Sequence, residues 1–167
     1  MKKTEISSVP AAVRICLEGH RLTILEFEPG STPTAEAAGR RLGVPVGQIA
    51  KSMLFKGKDG HFRMVVLAGN RRINSGLLKR ATGVKHRMAT AEESLAVTGY
   101  RPGGVCPFAL EDSGVEILLD ESLCQYETIY PAAGTDASGV PMSAEQLQTV
   151  TGGRFVAVTA APDEDAL

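Results

Sequence analysis

Two periods of apolar residues run through the chain and separate its strands from its helices. In IAKSMLFKG (49–57) the period is two: Ile49, Lys51, Met53 and Phe55 fall on one face of a predicted strand, and Ala50, Ser52, Leu54 and Lys56 on the other. The turn GKDG (57–60) leads into HFRMVVLA (61–68), which predicts an antiparallel hairpin. LTILEFE (22–28), VEILLD (115–120), YETIYP (126–131) and RFVAVTA (154–160) also read as strands. Helical spacing appears first in Val13, Cys16 and Leu17, with Ser7 or Ser8 as the expected cap, Pro10 in the first turn and Gly19 as the stop. Thr34 is expected to cap AEAAGRRL, closed by Gly43, and Asn74 or Ser75 to cap SGLLKRAT, closed by Gly83. Thr90 with Glu93, and Ser143 with Gln146, form capping boxes; the first opens a helix closed by Gly99 and the second the last main helix.

Strands and helices interleave without a regular βαβ rhythm, and at least one hairpin is expected. That predicts an α+β fold, a mixed or antiparallel sheet with helices packed on it. A chain of 167 residues without repeat, linker or low-complexity segment predicts one domain over 1–167, with DEDAL as a frayed tail from about 162.

Composition narrows the class. Apolar residues make up 43% and charged residues 22%, the balance of a soluble globular protein. No apolar run approaches a membrane span, and MKKTEISSVP leads into no apolar signal core, so a cytoplasmic address is expected. Cys16, Cys106 and Cys124 are odd in number and form no C-x-x-C pair, and His20, His61 and His86 are scattered. Neither a disulfide framework nor a metal site is expected, and no phosphate-loop or dinucleotide motif suggests a cofactor. The net charge of −1 conceals an asymmetry: residues 60–91 carry seven Lys or Arg and no acid, whereas 102–153 carry eight acids and no Lys or Arg. Such a basic block is either a solvated face or a local footprint for one end of a nucleic acid.

Three stretches could carry chemistry. Lys51 stands in line with Ile49, Met53 and Phe55, where it either snorkels to water along its methylenes or serves a site. In TGYRPGGVCPFAL (98–110), Gly103 and Gly104 can adopt positive φ and aim successive N–H groups into one concavity. Cys106 lacks a sequence-evident His partner and is assigned to the pocket wall, not to covalent catalysis. In IYPAAGTDASG (129–139), Ala132, Ala133 and Gly134 suit a wall that a ligand approaches closely.

Together, IAKSMLF, TGYRPGGVCPF and IYPAAGTD resemble, in order and approximate spacing, the YbaK/EbsC family of free-standing editing domains related to the prolyl-tRNA synthetase insertion domain. STPTAEAAGRRLGVP and MSAEQLQTVTG extend the resemblance over nearly the whole chain. The resemblance implies a twisted, largely antiparallel sheet with flanking helices, and a deacylase that hydrolyses the ester of mischarged tRNA in trans. It places the family lysine on Lys51 and the Gly-Gly loop on Gly103 and Gly104, which favours a functional lysine. Ser52 stands where cysteinyl-tRNA editors resemble Lys-Thr and alanyl-tRNA editors Lys-Asn, Ala132 stands where a serine is usual, and Cys106 replaces a commoner serine or proline. Esters of Ala, Ser, Thr and Cys therefore all remain open.

On this reading Gly103 and Gly104 supply oxyanion donors, Lys51 acts as a cation or, alternatively, as a neutral base, and a small pocket excludes larger side chains. Arg71, Arg72, Lys79, Arg80, Lys85 and Arg87 are the expected tRNA contacts. The expected partners are an aminoacyl-tRNA acceptor end and a synthetase, with no membrane, for a monomer or homodimer. The rival reading is a non-catalytic module that binds a tRNA end or small ligand on the same fold. The two part on whether Lys51 and the Gly103-Gly104 loop face one concavity.

Overall fold

A computed structural model describes residues 8–160. In chain order the elements are α1 (Ala11–Gly19), β1 (Leu25–Glu26), α2 (Ala35–Leu42), β2 (Ile49–Gly57), β3 (Phe62–Ala68), β4 (Arg72–Ile73) and α3 (Ser75–Thr82). They continue as β5 (His86–Met88), α4 (Ala91–Thr98), β6 (Glu116–Asp120), β7 (Tyr130–Pro131), β8 (Ser138–Gly139), α5 (Ala144–Thr151), β9 (Arg154–Val156) and β10 (Thr159–Ala160). Short 3-10 turns occupy Val46–Gln48 and Glu121–Gln125.

The central sheet has the order β5-β2-β3-β6-β9, with β7 also paired to β2. β2 and β3 form the expected antiparallel hairpin, in register from Ala50 opposite Ala68 to Lys56 opposite Phe62. β6 lies parallel to both β3 and β9, so the sheet is mixed. Four of the seven strand pairings among the described residues are antiparallel. This is the α+β class read from the pattern, with helices flanking the sheet.

Alternation along the strands divides the core in two. One face buries Ala50, Leu54, Met64, Val66 and Leu119 against Val13 and Leu17 of α1, Phe108, and Leu147 of α5. The other buries Phe55, Val65, Leu67 and Leu118 against Leu78 of α3. Helix ends follow the capping chemistry of the sequence. Thr34, Asn74, Thr90 and Ser143 each accept a first-turn N–H, and the boxes with Glu93 and Gln146 are both closed.

Where strands come out shorter than predicted, a side chain or turn has diverted the backbone. Asp120 accepts from Ser122 N–H (3.1 Å) and starts a 3-10 turn, so only Tyr130–Pro131 of 126–131 is strand. The same carboxylate takes Val158 N–H (2.9 Å) and the Thr159 hydroxyl (2.7 Å). That pulls 154–160 off the β6 ladder after Val156 and sends β10 to β4. Of 22–28 Leu25–Glu26 pairs with β8, and Phe27 N–H donates to Ala137 C=O (2.8 Å) beside it. Pro10, not Ser8, flanks α1, without a side-chain cap. Ser7 and the DEDAL tail lie outside the described residues.

Asp120 is 1% exposed and ties together β6, the following turn and β10. Asp120→Ala strands two buried N–H groups and a hydroxyl, and at 1–3 kcal/mol per orphaned group should lower stability by about 3 kcal/mol or more. Urea unfolding monitored by far-UV circular dichroism checks this; a loss below about 0.5 kcal/mol, the range of a neutral surface change, would contradict it.

Candidate active site

The site begins as a break in a ladder. On the edge of β2 away from β3, β7 pairs with Ile49 and Ala50, and β5 with Phe55 to Gly57. No strand among the described residues lies beside Lys51 to Met53 on that edge. Ile49 C=O bonds Gly69 N–H on the β3 side (2.8 Å), whereas Leu54 C=O bonds Ala89 N–H on the opposite edge (2.9 Å). Because main-chain groups alternate along a strand, the N–H and C=O of Ser52 point into the gap. The Ser52 hydroxyl is also buried and has no hydrogen-bond partner among the described residues.

A cavity of about 150 Å³ fills this gap, and both faces of β2 contribute to it, Ile49 and Lys51 from one, Ala50 and Ser52 from the other. Gly103 and Val105 of the glycine loop, Ala132, Tyr130, Ser138, and Thr34 and Ala35 at the start of α2 complete its wall. Fixed hydrogen bonds hold that wall. Ser138 is 3% exposed; its hydroxyl accepts from Ala133 N–H (2.9 Å) and its N–H donates to the Thr32 hydroxyl (3.2 Å). Thr32 N–H in turn donates to Asp136 C=O (2.7 Å). The amino end of α2 brings a positive dipole pole to the cavity.

Lys51 is half-buried, and among the described residues its Nζ reaches only the Gly69 carbonyl oxygen, at 3.4 Å. Burial lowers its pKa from the ordinary lysine value; the charge of Glu36 opposes that shift and that of Arg72 adds to it. No carboxylate and no imidazole lines the cavity among the described residues.

The glycine loop divides its labour differently from the sequence expectation. Gly103 has φ 89°, but Gly104 is not in the positive-φ region. Gly104 is glycine because a Cβ there would lie 2.9 Å from the Gly134 carbonyl and from Thr135 Cα. Its N–H closes a turn onto Arg101 C=O (3.0 Å), so it is not a free donor. The N–H groups of Gly103 and Val105, beside the cavity, have no partner among the described residues.

Of the residues singled out from the sequence, Lys51, Ser52, Gly103 and Ala132 come together on this cavity. Gly104 and Gly134 instead line a second depression beyond the loop. Ala133 and Cys106 are fully buried in the larger core cluster and line neither. Burial pushes the Cys106 thiol up to about 12, and it sits among Tyr100, Phe108 and Gly134 as an anchor of the loop. Tyr100 secures the same loop by donating its hydroxyl to the Phe108 carbonyl oxygen. Sequence reasoning passed over Tyr130, Ser138, Thr32 and the start of α2. The STPT turn ahead of a capped helix was the available signal for the last two.

The six basic residues separate by role. The Arg71 guanidinium is tied to Ala160 C=O (3.1 Å), and Arg87 makes a two-pronged ion pair with Glu93 (2.7 and 2.9 Å). Arg72, Lys79, Arg80 and Lys85 are exposed and have no ion pair among the described residues.

The chain is an α+β domain with a lysine and a glycine loop on one small cavity, and comparison with known proteins gives its family. Residues 29–150 match the family model described as the aminoacyl-tRNA editing domain. Over 124 residues the chain is 36% identical to the Bacillus subtilis protein named "Uncharacterized protein YwhH", covering 74% of this chain and 78% of that one. It is 26% identical over 163 residues to the Enterococcus faecalis protein named "Putative Cys-tRNA(Pro)/Cys-tRNA(Cys) deacylase EbsC", covering 95% and 98% of the two chains. A solved structure described as a "putative trans-editing enzyme for prolyl tRNA synthetase" superposes with a TM-score of 0.84 at 31% identity, covering 94% of this chain and all of the other. The chain belongs to the YbaK/EbsC family of aminoacyl-tRNA editing domains. No helix of the described residues is long and apolar enough to cross a membrane.

Two outcomes follow from the burial of these groups. In the native protein iodoacetamide should modify exposed Cys124 first, and Cys106 only on unfolding, as read by peptide mass spectrometry. Rapid native labelling of Cys106 would contradict its place in the core. A lysine whose folded pKa is lowered disfavours folding at neutral pH, and the cost disappears as pH rises through its unfolded value. Lys51→Met should therefore be at least as stable as the parent at pH 7, with the difference narrowing toward pH 10.5, in thermal unfolding followed across that range. Marked destabilisation at pH 7 would contradict this.

Proposed function

We propose that the protein hydrolyses, in trans, the ester linking a small amino acid to the end of a mischarged tRNA. The observation that carries this reading is the single cavity shared by Lys51 and Gly103 at the break in β2. A volume of about 150 Å³ is that of a cavity able to hold one benzene-sized group, which suits a small aminoacyl moiety and excludes larger ones. Family membership supports an editing hydrolase, and the relatives' names support a translation-fidelity role beside prolyl-tRNA synthetase; a cytoplasmic address is part of the same proposal.

In this mechanism a water adds to the ester carbonyl carbon, and the resulting tetrahedral oxyanion is held by the N–H groups of Gly103 and Val105 and by the positive pole of α2. One such donor is worth about 3 kcal/mol of barrier. The intermediate collapses by breaking the bond to the ribose oxygen, which takes a proton and leaves as the tRNA hydroxyl; the free amino acid departs. Lys51 acts as a cation beside the ester and the terminal phosphate. Since no acid or imidazole among the described residues lines the cavity, the amine or neighbouring ribose hydroxyl of the substrate orients the water.

Ser52 narrows the substrate. Its buried, unpartnered hydroxyl gains a hydrogen bond from a seryl, threonyl or cysteinyl side chain and none from alanyl. Recognition of the tRNA falls to Arg72, whose charge reaches Lys51, with Lys79, Arg80 and Lys85 on the same exposed set. Arg71 and Arg87, already engaged, contribute less.

Single-turnover deacylation of Ala-, Ser-, Thr- and Cys-charged tRNA tests this reading. Lys51→Ala should abolish turnover in a folded protein, and Ser52→Ala should shift preference toward Ala-tRNA by about tenfold, the worth of one lost hydrogen bond. For a cationic Lys51 the rate should fall as pH rises through its lowered pKa; a rate that instead rises there would assign it as a base. Near-normal turnover by Lys51→Ala, or turnover of none of the four esters, would overturn the reading.

The charge-reversal pair Arg72→Glu/Arg80→Glu should weaken tRNA binding and flatten a salt dependence whose slope is about two to four, one counterion per phosphate contact. Unchanged affinity and slope would return these residues to a solvated face.

A further inference from the structure

The second depression, on the far side of the glycine loop, is larger than the cavity at Lys51, about 420 Å³ against about 150 Å³. It falls in the range of small-molecule sites, whereas the first is too small for a nucleotide. The two share a two-residue wall: Gly103 lines the first and Gly104 the second. A group joined to an ester in the first cavity therefore has only the width of the loop to cross.

The lining of the second depression combines apolar, acidic and basic groups. Phe27, Pro29 and Pro102 give it apolar surface; the Arg41 guanidinium already covers one face of the Phe27 ring (4.3 Å), which leaves one face as the usual platform for an unpaired base. The Asp136 carboxylate is fixed by Gly30 N–H donating to its Oδ1 (3.2 Å), while its Oδ2 has no partner among the described residues. A carboxylate so placed accepts from the exocyclic amine of cytosine or adenine and finds no donor on the corresponding carbonyl edge of uracil. Arg101 is exposed on the same rim, without an ion pair among the described residues, and offers a planar fork to a phosphate. Gly134, with φ 85°, and Gly104 keep the floor free of side chains.

We propose that this depression binds one nucleotide of the acceptor end, an amino-bearing base against Asp136 with its phosphate on Arg101. The proposal rests on the deacylase reading for the source of the nucleotide, but not for the binding itself. Two residues can supply it, the terminal adenosine or the cytidine before it.

The test titrates AMP, CMP and UMP into the ¹⁵N-labelled protein and follows the amides of Gly104, Gly134 and Thr135. AMP and CMP should bind about tenfold more tightly than UMP, the discrimination of one well-placed base contact. Asp136→Asn keeps the Gly30 bond but turns the free acceptor into a donor, so preference should move toward UMP. Arg101→Ala should make AMP bind no better than adenosine. Both variants should raise KM for aminoacyl-tRNA more than they lower kcat. A tRNA lacking its terminal adenosine keeps the Asp136-dependent contact if the cytidine is bound, and loses it if the adenosine is. Equal binding of the three nucleotides, or shifts confined to other surfaces, would overturn the proposal. Lys51→Ala, which should lose turnover but keep Asp136-dependent nucleotide binding, separates the two claims. Nucleotide binding with Asp136 dependence but no turnover by the parent protein would sink the deacylase reading alone, and normal turnover with both variants unaffected would sink this site alone.

Discussion

A main-chain amide at the edge of a sheet needs a partner, and between β7 and β5 the edge of β2 leaves that requirement open at Ser52. A ladder that continued there would have closed the cavity with a strand. Instead, both faces of β2 reach one small space, and a lysine on one face can share it with a serine on the next residue. The surrounding loops are fixed by buried groups: Asp120 at one end of the sheet, Ser138 and Thr32 behind the cavity, Cys106 and Tyr100 under the glycine loop. Rigid walls around an unsatisfied strand edge are what a preorganised site requires.

Lysine 51 answers the oddity of an ammonium in line with isoleucine, methionine and phenylalanine. It is only half-buried, lining the cavity with its Nζ 3.4 Å from the Gly69 carbonyl oxygen. Burial lowers its pKa from the ordinary lysine value, and the charges of Glu36 and Arg72 pull in opposite directions on it. Substrate phosphate would add the negative charge that the cavity lacks.

Much of the fold was legible because its signals are local. Helix caps at Thr34, Asn74, Thr90 and Ser143, and the alternation through 49–57, each depend on residues a few positions apart. The short strands β4, β5 and β8 were not legible, since two or three residues carry no period and their partners are distant in sequence. The site was legible in part for the same reason. Lys51 and Gly103 stand out by residue type, whereas Tyr130 and Ser138 acquire meaning only once β7 and β8 are in place. A Gly-Gly pair signals backbone freedom but not its use. Gly103 spends it on positive φ, and Gly104 on letting Gly134 and Thr135 come close. Cys106 looked like pocket wall because it follows the glycines; full burial makes it a loop anchor.

The central claim is that the substrate ester sits at the open edge of β2. Its most direct test is amide hydrogen exchange with and without a non-hydrolysable seryl-amide analogue of the aminoacylated terminal adenosine. An ester bound at that edge should bring new protection at Ser52, Gly103 and Val105, with Gly104 unchanged because its N–H is already bonded to Arg101. Protection that appears elsewhere while Ser52 and Gly103 exchange as before would contradict it.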